Sequence, residues 1–287
     1  MANLRVENLT HIYSKNTPFV REAVKGVSFV AEKGEILGII GHTGSGKSTL
    51  VQHLNGLIKP TQGNIYFCDE DIWDEKQSIV QIRAKIGLVF QYPEYQLFDE
   101  TVYKDIAFGP TNMGFDEKEI EINVKKAAKD VGISEDYFQK SPFDLSGGEK
   151  RRVAIAGILA MKPEVIIFDE PTAGLDPSGR NAVIDIIKNY RNENNATVII
   201  ISHSMEDMAI LADKLLVMNK GEKYMYGTPK EIFSRRAELI SCGLDVPMIT
   251  KVVLKLRENG IDIPKDIITV EEAAKAIISL KGGENNA

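Results

Sequence analysis

The chain has 287 residues, 43% of them hydrophobic and 26% charged, ordinary values for a soluble globular protein with room for a full core and a second domain. Its net charge of −6 excludes a basic nucleic-acid footprint. No apolar run approaches the roughly 18 residues of a membrane helix, and the first ten residues carry no signal-peptide pattern, so a membrane role has to come through a partner. The two cysteines, Cys68 and Cys242, match no disulfide or metal spacing and read as reduced thiols.

In chain order, "NLRVENLTHIY" and "AVKGVSFVAEKGE" alternate apolar and polar residues, the pattern of half-buried antiparallel strands. "EILGII" (35–40), "EVIIFDE" (164–170) and "TVIIIS" (197–202) are near-continuous apolar runs, which suit parallel strands buried on both faces. Between them "FDEKEIEINVKKAAKDVGI" places Ile120, Val124, Ala127 and Val131 on one helical stripe, started by Asp116 with Glu119 and ended near Gly132. Strands alternating with helices predict an α/β sheet with right-handed crossovers. Residues 92–160 read as an inserted helical subdomain. After Gly227 the character changes. Thr228, Pro229 and Glu231 start a helix, and "PMITKVVLKLRENG" and "TVEEAAKAIISLKGG" follow, the last capped by Thr269 with Glu272. This predicts a cassette over 1–228 and a small helical domain over 229–287, with a frayed tail from Gly282.

Three stretches carry chemistry. "GHTGSGKST" (41–49) fits G-x-x-x-x-G-K-[ST] between a strand and a helix, the context of a phosphate-binding loop. Gly41, Gly44 and Gly46 let backbone N–H groups point inward at phosphate oxygens, and the helix N-terminus adds partial positive charge. Lys47 is expected at the β- and γ-phosphates and Ser48 on Mg²⁺; Thr43, Ser45 and Thr49 complete the loop, while His42 is a variable spacer with no side-chain role. In "VIIFDEPT" two carboxylates emerge where a buried strand ends, the end at which α/β sheets bind ligands. Asp169 is expected to hold Mg²⁺ and Glu170 to orient or deprotonate the attacking water. A strand ending in two acids is ordinary by itself; a phosphate loop in the same chain favours chemistry. In "DLSGGEKRRVAIAGILA" Ser146 and Glu149 form a capping box, but capping leaves Gly147 and Gly148 unexplained, because glycine in a first helical turn weakens it.

"LSGGE" some twenty residues before "VIIFDEPT" and well after "GHTGSGKST" resembles the signature of ABC-type ATPases, and the resemblance covers residues 1 to about 228. It implies a P-loop nucleotide-binding domain: a RecA-like parallel core sheet, an antiparallel β subdomain and an inserted helical subdomain. It also implies roles for further residues. Gln91 in "LVFQ" stands at the Q-loop position, near Mg²⁺ and the attacking water. Asp176 in "AGLDP" stands at the D-loop, His203 at the γ-phosphate switch, and Tyr13 where an aromatic stacks on adenine. Two cassettes then pair head to tail, each ATP lying between one phosphate loop and the partner's Ser146, Gly147 and Gly148.

"QYPEYQLFDETVYKDIAFGP" resembles one branch, the ATP-binding subunits of energy-coupling factor transporters, and within it the second of two paralogous ATPases. That resemblance implies import of vitamins or metal ions, a paralogous ATPase partner, a transmembrane scaffold and a separate integral substrate-binding subunit, with this chain peripheral on the cytoplasmic face. Tyr92, Tyr95 and Phe98 are expected to line a docking groove for a coupling helix, with Glu94, Asp99 and Glu100 facing its arginines. The competing arrangement packs the three rings inward. The C-terminal helices are expected to join the two ATPases, substrate sensing being the alternative. Rival functions are a self-pairing ATPase of a conventional importer, a soluble non-transport ABC ATPase, and a binding module that holds ATP without hydrolysis.

Overall fold

Residues 2–283 are described by a computed structural model. The hairpin of β1 (Ala2–Tyr13) and β2 (Arg21–Glu32) obeys the predicted alternation, burying Val27, Phe29 and Ala31 along β2. The chain then enters β3 (Ile36–Ile40), turns through the phosphate loop into α1 (Lys47–Leu54), and returns as β4 (Gln62–Phe67) and β5 (Glu70–Asp71). These strands complete an antiparallel sheet of order β2-β1-β4-β5.

β3 is central to a second sheet. After α2 (Ile79–Lys85) come β6 (Ile86–Val89), β7 (Val165–Asp169), β8 (Thr197–Ile201), β9 (Lys214–Asn219) and β10 (Glu222–Gly227), in spatial order β10-β9-β3-β8-β7-β6. All neighbours are parallel except β10 with β9. The three apolar runs read from the sequence are β3, β7 and β8, and every residue in them is buried except Asp169 at the end of β7. Burial on both faces is why they show no alternation.

Between β6 and β7 the chain is helical: a 3-10 turn (Pro93–Gln96), α3 (Val102–Asn112), α4 (Glu117–Asp130) and α5 (Gly147–Leu159). Asp116 caps α4 by accepting from the Glu119 N–H, and the stripe expected on it buries Val124, Ala127 and Val131. α6 (Pro177–Asn194) and α7 (Met205–Leu211) follow β7 and β8. Beyond β10 come α8 (Pro229–Ser234), α9 (Arg236–Ser241), α10 (Met248–Glu258) and α11 (Val270–Gly283). Thr228 and Glu231 form both halves of their capping box.

The last sixty residues do not share one core. Ile232, Phe233, Leu239, Cys242 and Val246 belong to the large apolar cluster of the core sheet, whereas Val253, Ile263, Ile267 and Ala273 make a small cluster of their own. Gly282 and Gly283 end α11, and the rest of the expected tail lies outside the described residues. Among the described residues no helix is long and apolar enough to cross a membrane.

Candidate active site at the ends of the parallel strands

β3, β6, β7 and β8 deliver their next residues to one cleft of about 400 Å³. It is lined by the loop residues Thr43, Gly44, Gly46, Lys47, Ser48 and Thr49, by Gln91 after β6, by Asp169 and Glu170 at the end of β7, and by His203 after β8, with Tyr13 from β1 at its rim. Thr43 and His203 are 160 positions apart in sequence; parallel register brings them together, since β3, β6, β7 and β8 end at the same edge, while Tyr13 reaches the rim from the antiparallel sheet.

The loop's glycines have separate reasons. A Cβ on Gly46, at φ +102°, would lie 2.4 Å from the Ala23 carbonyl, and one on Gly41 would lie 2.5 Å from the Met218 carbonyl and from Ser45 Oγ. Gly41, His42 and Ser45 thus shape the loop from outside the cleft. Ser45 is fully buried, and His42 Nε2 lies 3.2 Å from Asn219 Oδ1. Lys47 curls back over the loop and donates from Nζ to the Gly41 carbonyl (2.6 Å) and the His42 carbonyl (3.1 Å). Burial lowers its pKa, and the carboxylates of Glu170 and Asp169 oppose that effect.

Glu170 sits at φ +51°, a left-handed conformation that non-glycine residues seldom adopt and that often marks a functional site. Its N–H donates to the Ile201 carbonyl (2.9 Å), and its Oε2 accepts from the His203 N–H (3.3 Å), so the ends of β7 and β8 are tied together. His203 Nε2 is 3.3 Å from Glu170 Oε1 but not in hydrogen-bonding geometry; Oε1 is a buried carboxylate oxygen with no donor. Such an oxygen is suited to accept from a water. Burial raises the pKa of Glu170 and of Asp169, and lowers that of His203, which Lys47 depresses further. A carboxylate moved toward neutrality is a better general base, and a neutral imidazole is free to donate or accept.

For a divalent cation the donors are hard oxygens: the Ser48 hydroxyl, the Asp169 carboxylate and the Gln91 amide border the same cleft. Among the described residues no cluster of three or more His, Cys, Asp or Glu side chains forms a metal cage. The residues therefore fit Mg²⁺ that takes the rest of its shell from phosphate and water, the usual habit of that ion.

Ser146, Gly147, Gly148 and Asp176 do not line this cleft. Ser146 caps α5, with both halves of the box to Glu149 present, and Asp176 caps α6 by accepting from the Gly179 N–H (2.9 Å). A Cβ on Gly147 would meet nothing within 4 Å, and one on Gly148 only the Arg152 guanidinium at 3.8 Å. Among the described residues nothing requires glycine there.

The rings of Tyr92, Tyr95 and Phe98 point outward. Tyr95 is 84% exposed, Phe98 59% and Tyr92 42%. Phe98 stands edge-on to Phe108, which the sequence reading did not single out, with ring centroids 4.8 Å apart. Both border an open apolar groove of about 610 Å³ shared with Val80, Leu97, Met113 and Met161. Glu94 is a correction. Rather than facing a partner's arginine, it is 16% exposed and holds this chain's own Arg151 in a two-pronged pair, both contacts 2.9 Å. Arg151, 4% exposed on the signature helix α5, also donates to the Ala173 carbonyl (2.9 Å). It joins three motif regions, and a pairing across 57 residues leaves no local sequence signal. Glu100 pairs with Lys104 at 2.6 Å, and Asp99 accepts from the Glu100 N–H at 2.8 Å; both stay at the surface. Asp207 was also missed. It is buried and accepts from Thr172 Oγ1 and Arg180 Nε, both 2.6 Å, fastening α7 behind His203 to the turn after β7.

This fold and cleft define a P-loop ATPase of the cassette type, and the family model described as ABC transporter matches residues 24–173. Energy-coupling factor transporter ATP-binding protein EcfA2 of Caldanaerobacter subterraneus is 52% identical over 99% of both chains; that of Clostridium acetobutylicum is 54% identical over 96% of both. The chain belongs to this family of energy-coupling factor transporter ATP-binding proteins. Among solved structures, cbiO1 of Clostridium perfringens, described as part of the ABC transporter complex cbiONQ, superposes with a TM-score of 0.74 at 40% identity, covering 84% of this chain and 94% of that one. The cassette MJ0796, solved as a post-hydrolysis dimer with ADP and phosphate, gives 0.70 at 27% identity, covering 79% and 98%.

Proposed function

We propose that this chain is the ATP-hydrolysing subunit of an energy-coupling factor transporter, working head to tail with a paralogous ATPase on a transmembrane scaffold at the cytoplasmic face of the membrane. One observation carries the mechanism. A single cleft collects Tyr13, the phosphate loop, Gln91, Asp169, Glu170 and His203, while the signature glycines stand apart with open space over them. Open glycines at a helix N-terminus suit the close approach of an anion held by another subunit.

In this reading Tyr13 stacks on adenine, the loop amides and Lys47 hold the triphosphate, and Ser48 and Asp169 with Gln91 hold Mg²⁺. The ion neutralises charge on the β- and γ-phosphates when bound. Glu170 Oε1 accepts a proton from the water that attacks the γ-phosphate, and His203 senses that phosphate from the other side of Glu170. Ser146, Gly147, Gly148 and Asp176 serve the partner's ATP. Closure buries both nucleotides, and hydrolysis with product release reopens the pair.

The exposed rings Tyr92, Tyr95 and Phe98 form the docking surface for a coupling helix of the scaffold, with Asp99 and Glu100 at its charged border. The C-terminal helices join the two ATPases; α8 and α9 share the cassette's core, and α10 and α11 pack a small cluster of their own beside it, with Ile268 between them still in the large core. The transported vitamin or metal ion is selected by an integral binding subunit that this chain need not touch.

The test is purification of the chain from its own membranes, followed by mass spectrometry. A second, non-identical ABC ATPase with a transmembrane scaffold and small integral binding proteins is the expected company. Recovery of this chain as the only ATPase, beside a conventional permease, would assign it to the self-pairing importers instead.

A further inference from the structure

Two buried imidazoles behind the cleft have no part in the mechanism above. His53 on α1 is fully buried and His11 on β1 is 8% exposed. His53 Nδ1 lies 2.6 Å from the backbone carbonyl of Thr49, the residue after Ser48 in the first turn of α1. A carbonyl only accepts, so Nδ1 carries the ring proton of His53 and its Nε2 is bare. That Nε2 lies 3.0 Å from His11 Nδ1, and the His11 ring also meets the Lys59 backbone. The His11 ring in turn stands at 75° to the ring of Tyr13, centroids 4.4 Å apart. His11 and Tyr13 are two residues apart on one strand and so share a face. The Tyr13 hydroxyl closes the circuit, 3.3 Å from Thr49 Oγ1.

The contacts form a ring: Thr49 backbone, His53, His11, Tyr13, Thr49 side chain. Apolar side chains could fill the same space, but they would fix no orientation, whereas buried polar groups must be aimed at their partners. Burial lowers the pKa of both histidines, His53 to about 4, with the Lys59 backbone opposing the shift at His11.

We propose that His11 and His53 are positioning residues that hold the Tyr13 ring at a fixed offset from the phosphate loop, so that base stacking and triphosphate binding are matched in one nucleotide. The inference rests on the reading of Tyr13 as the adenine platform. It predicts an effect on base recognition that leaves phosphate recognition alone.

The experiment measures equilibrium binding of ATP and of inorganic tripolyphosphate to the full-length chain. Tyr13→Ala and His11→Leu should each weaken ATP about tenfold, the order of one lost base–aromatic stack. Tripolyphosphate affinity should stay unchanged, which also reports that the loop remains folded. Combining the two substitutions should weaken ATP no further than Tyr13→Ala alone. His53→Leu should behave like His11→Leu, and His53→Gln, whose amide can donate to the Thr49 carbonyl and keep a polar contact with His11, should recover most of the ATP affinity. Equal weakening of both ligands by His11→Leu and His53→Leu would overturn the proposal in favour of plain structural support. So would a full additional loss in the Tyr13→Ala background, or unchanged ATP affinity. If Tyr13→Ala itself leaves ATP binding intact, the adenine platform falls first and the positioning role with it.

Discussion

The nucleotide cleft and the aromatic rim at 92–108 differ in where their parts come from. The cleft draws on residues from Tyr13 to His203, each at the end of a strand or on the loop that follows it. The rim is nearly contiguous: Tyr92, Tyr95, Phe98 and Phe108 lie between 92 and 108, on the 3-10 turn, the connection after it and α3, and expose their rings. In the cleft, backbone hydrogen bonds, opposed charges and burial hold Lys47, Asp169 and Glu170. On the rim the rings lean on one another, and the segment is anchored at Leu97, Asp105 and the Glu94–Arg151 pair. The contrast follows from the task. Chemistry needs atoms held to a fraction of an ångström by a rigid scaffold, and docking needs accessible apolar area. Arg151 connects the two, since it grips Glu94 below the rim and the Ala173 carbonyl in the turn after β7.

The contrast can be broken first at Glu170. Glu170→Gln should lower ATP hydrolysis in the assembled transporter by about 10²- to 10⁴-fold while ATP still binds. Unchanged turnover would remove Glu170 from its role. The same substitution should raise Tm near neutral pH. The pKa of Glu170 is raised by burial, so its charge costs folding stability in full above the raised value, and that cost disappears below the ordinary carboxylate pKa. For the same reason the acid limb of the unaltered enzyme's turnover should lie above the ordinary carboxylate range.

Arg151→Ala comes next. It leaves Glu94 a half-buried charge without its partner, and loss of one member of such a pair costs about 3–5 kcal/mol, readable by urea denaturation. A loss within the range of an exposed ion pair would show that the fork does not hold the rim to the core.

Tyr95→Ser and Phe98→Ser should leave stability nearly untouched, because both rings are exposed, yet weaken assembly with the transmembrane subunit. Roughly ten- to thirtyfold per ring is the expectation for anchor residues in an interface. If both variants assemble normally, the aromatic rim does not dock the scaffold. The smallest effect belongs to the charges: Asp99→Arg with Glu100→Arg should slow association severalfold, more at low salt. Lys104 already shares the charge of Glu100, and assembly at the normal rate would end the charge part of the docking idea.

The motifs of this protein were legible because each is local. A phosphate loop is a run of amides on one turn, a capping box spans four residues, and a doubly buried strand announces itself by an unbroken apolar run. Those rules led to the phosphate loop, β3, β7, β8, the caps of α4, α5 and α8, and the carboxylates of β7 from residue types and spacing alone. The family pattern added Gln91, Asp176 and His203. The tertiary structure decided what depends on two distant segments meeting. Glu94 found Arg151 instead of a partner protein, and α8 and α9 joined the cassette's core though the composition changes before them. Asp207 reached Thr172 and Arg180, and His11 found His53 behind Tyr13. An ion pair or a buried imidazole takes whichever partner the packed chain brings within about 3 Å, and sequence separation carries no record of that distance.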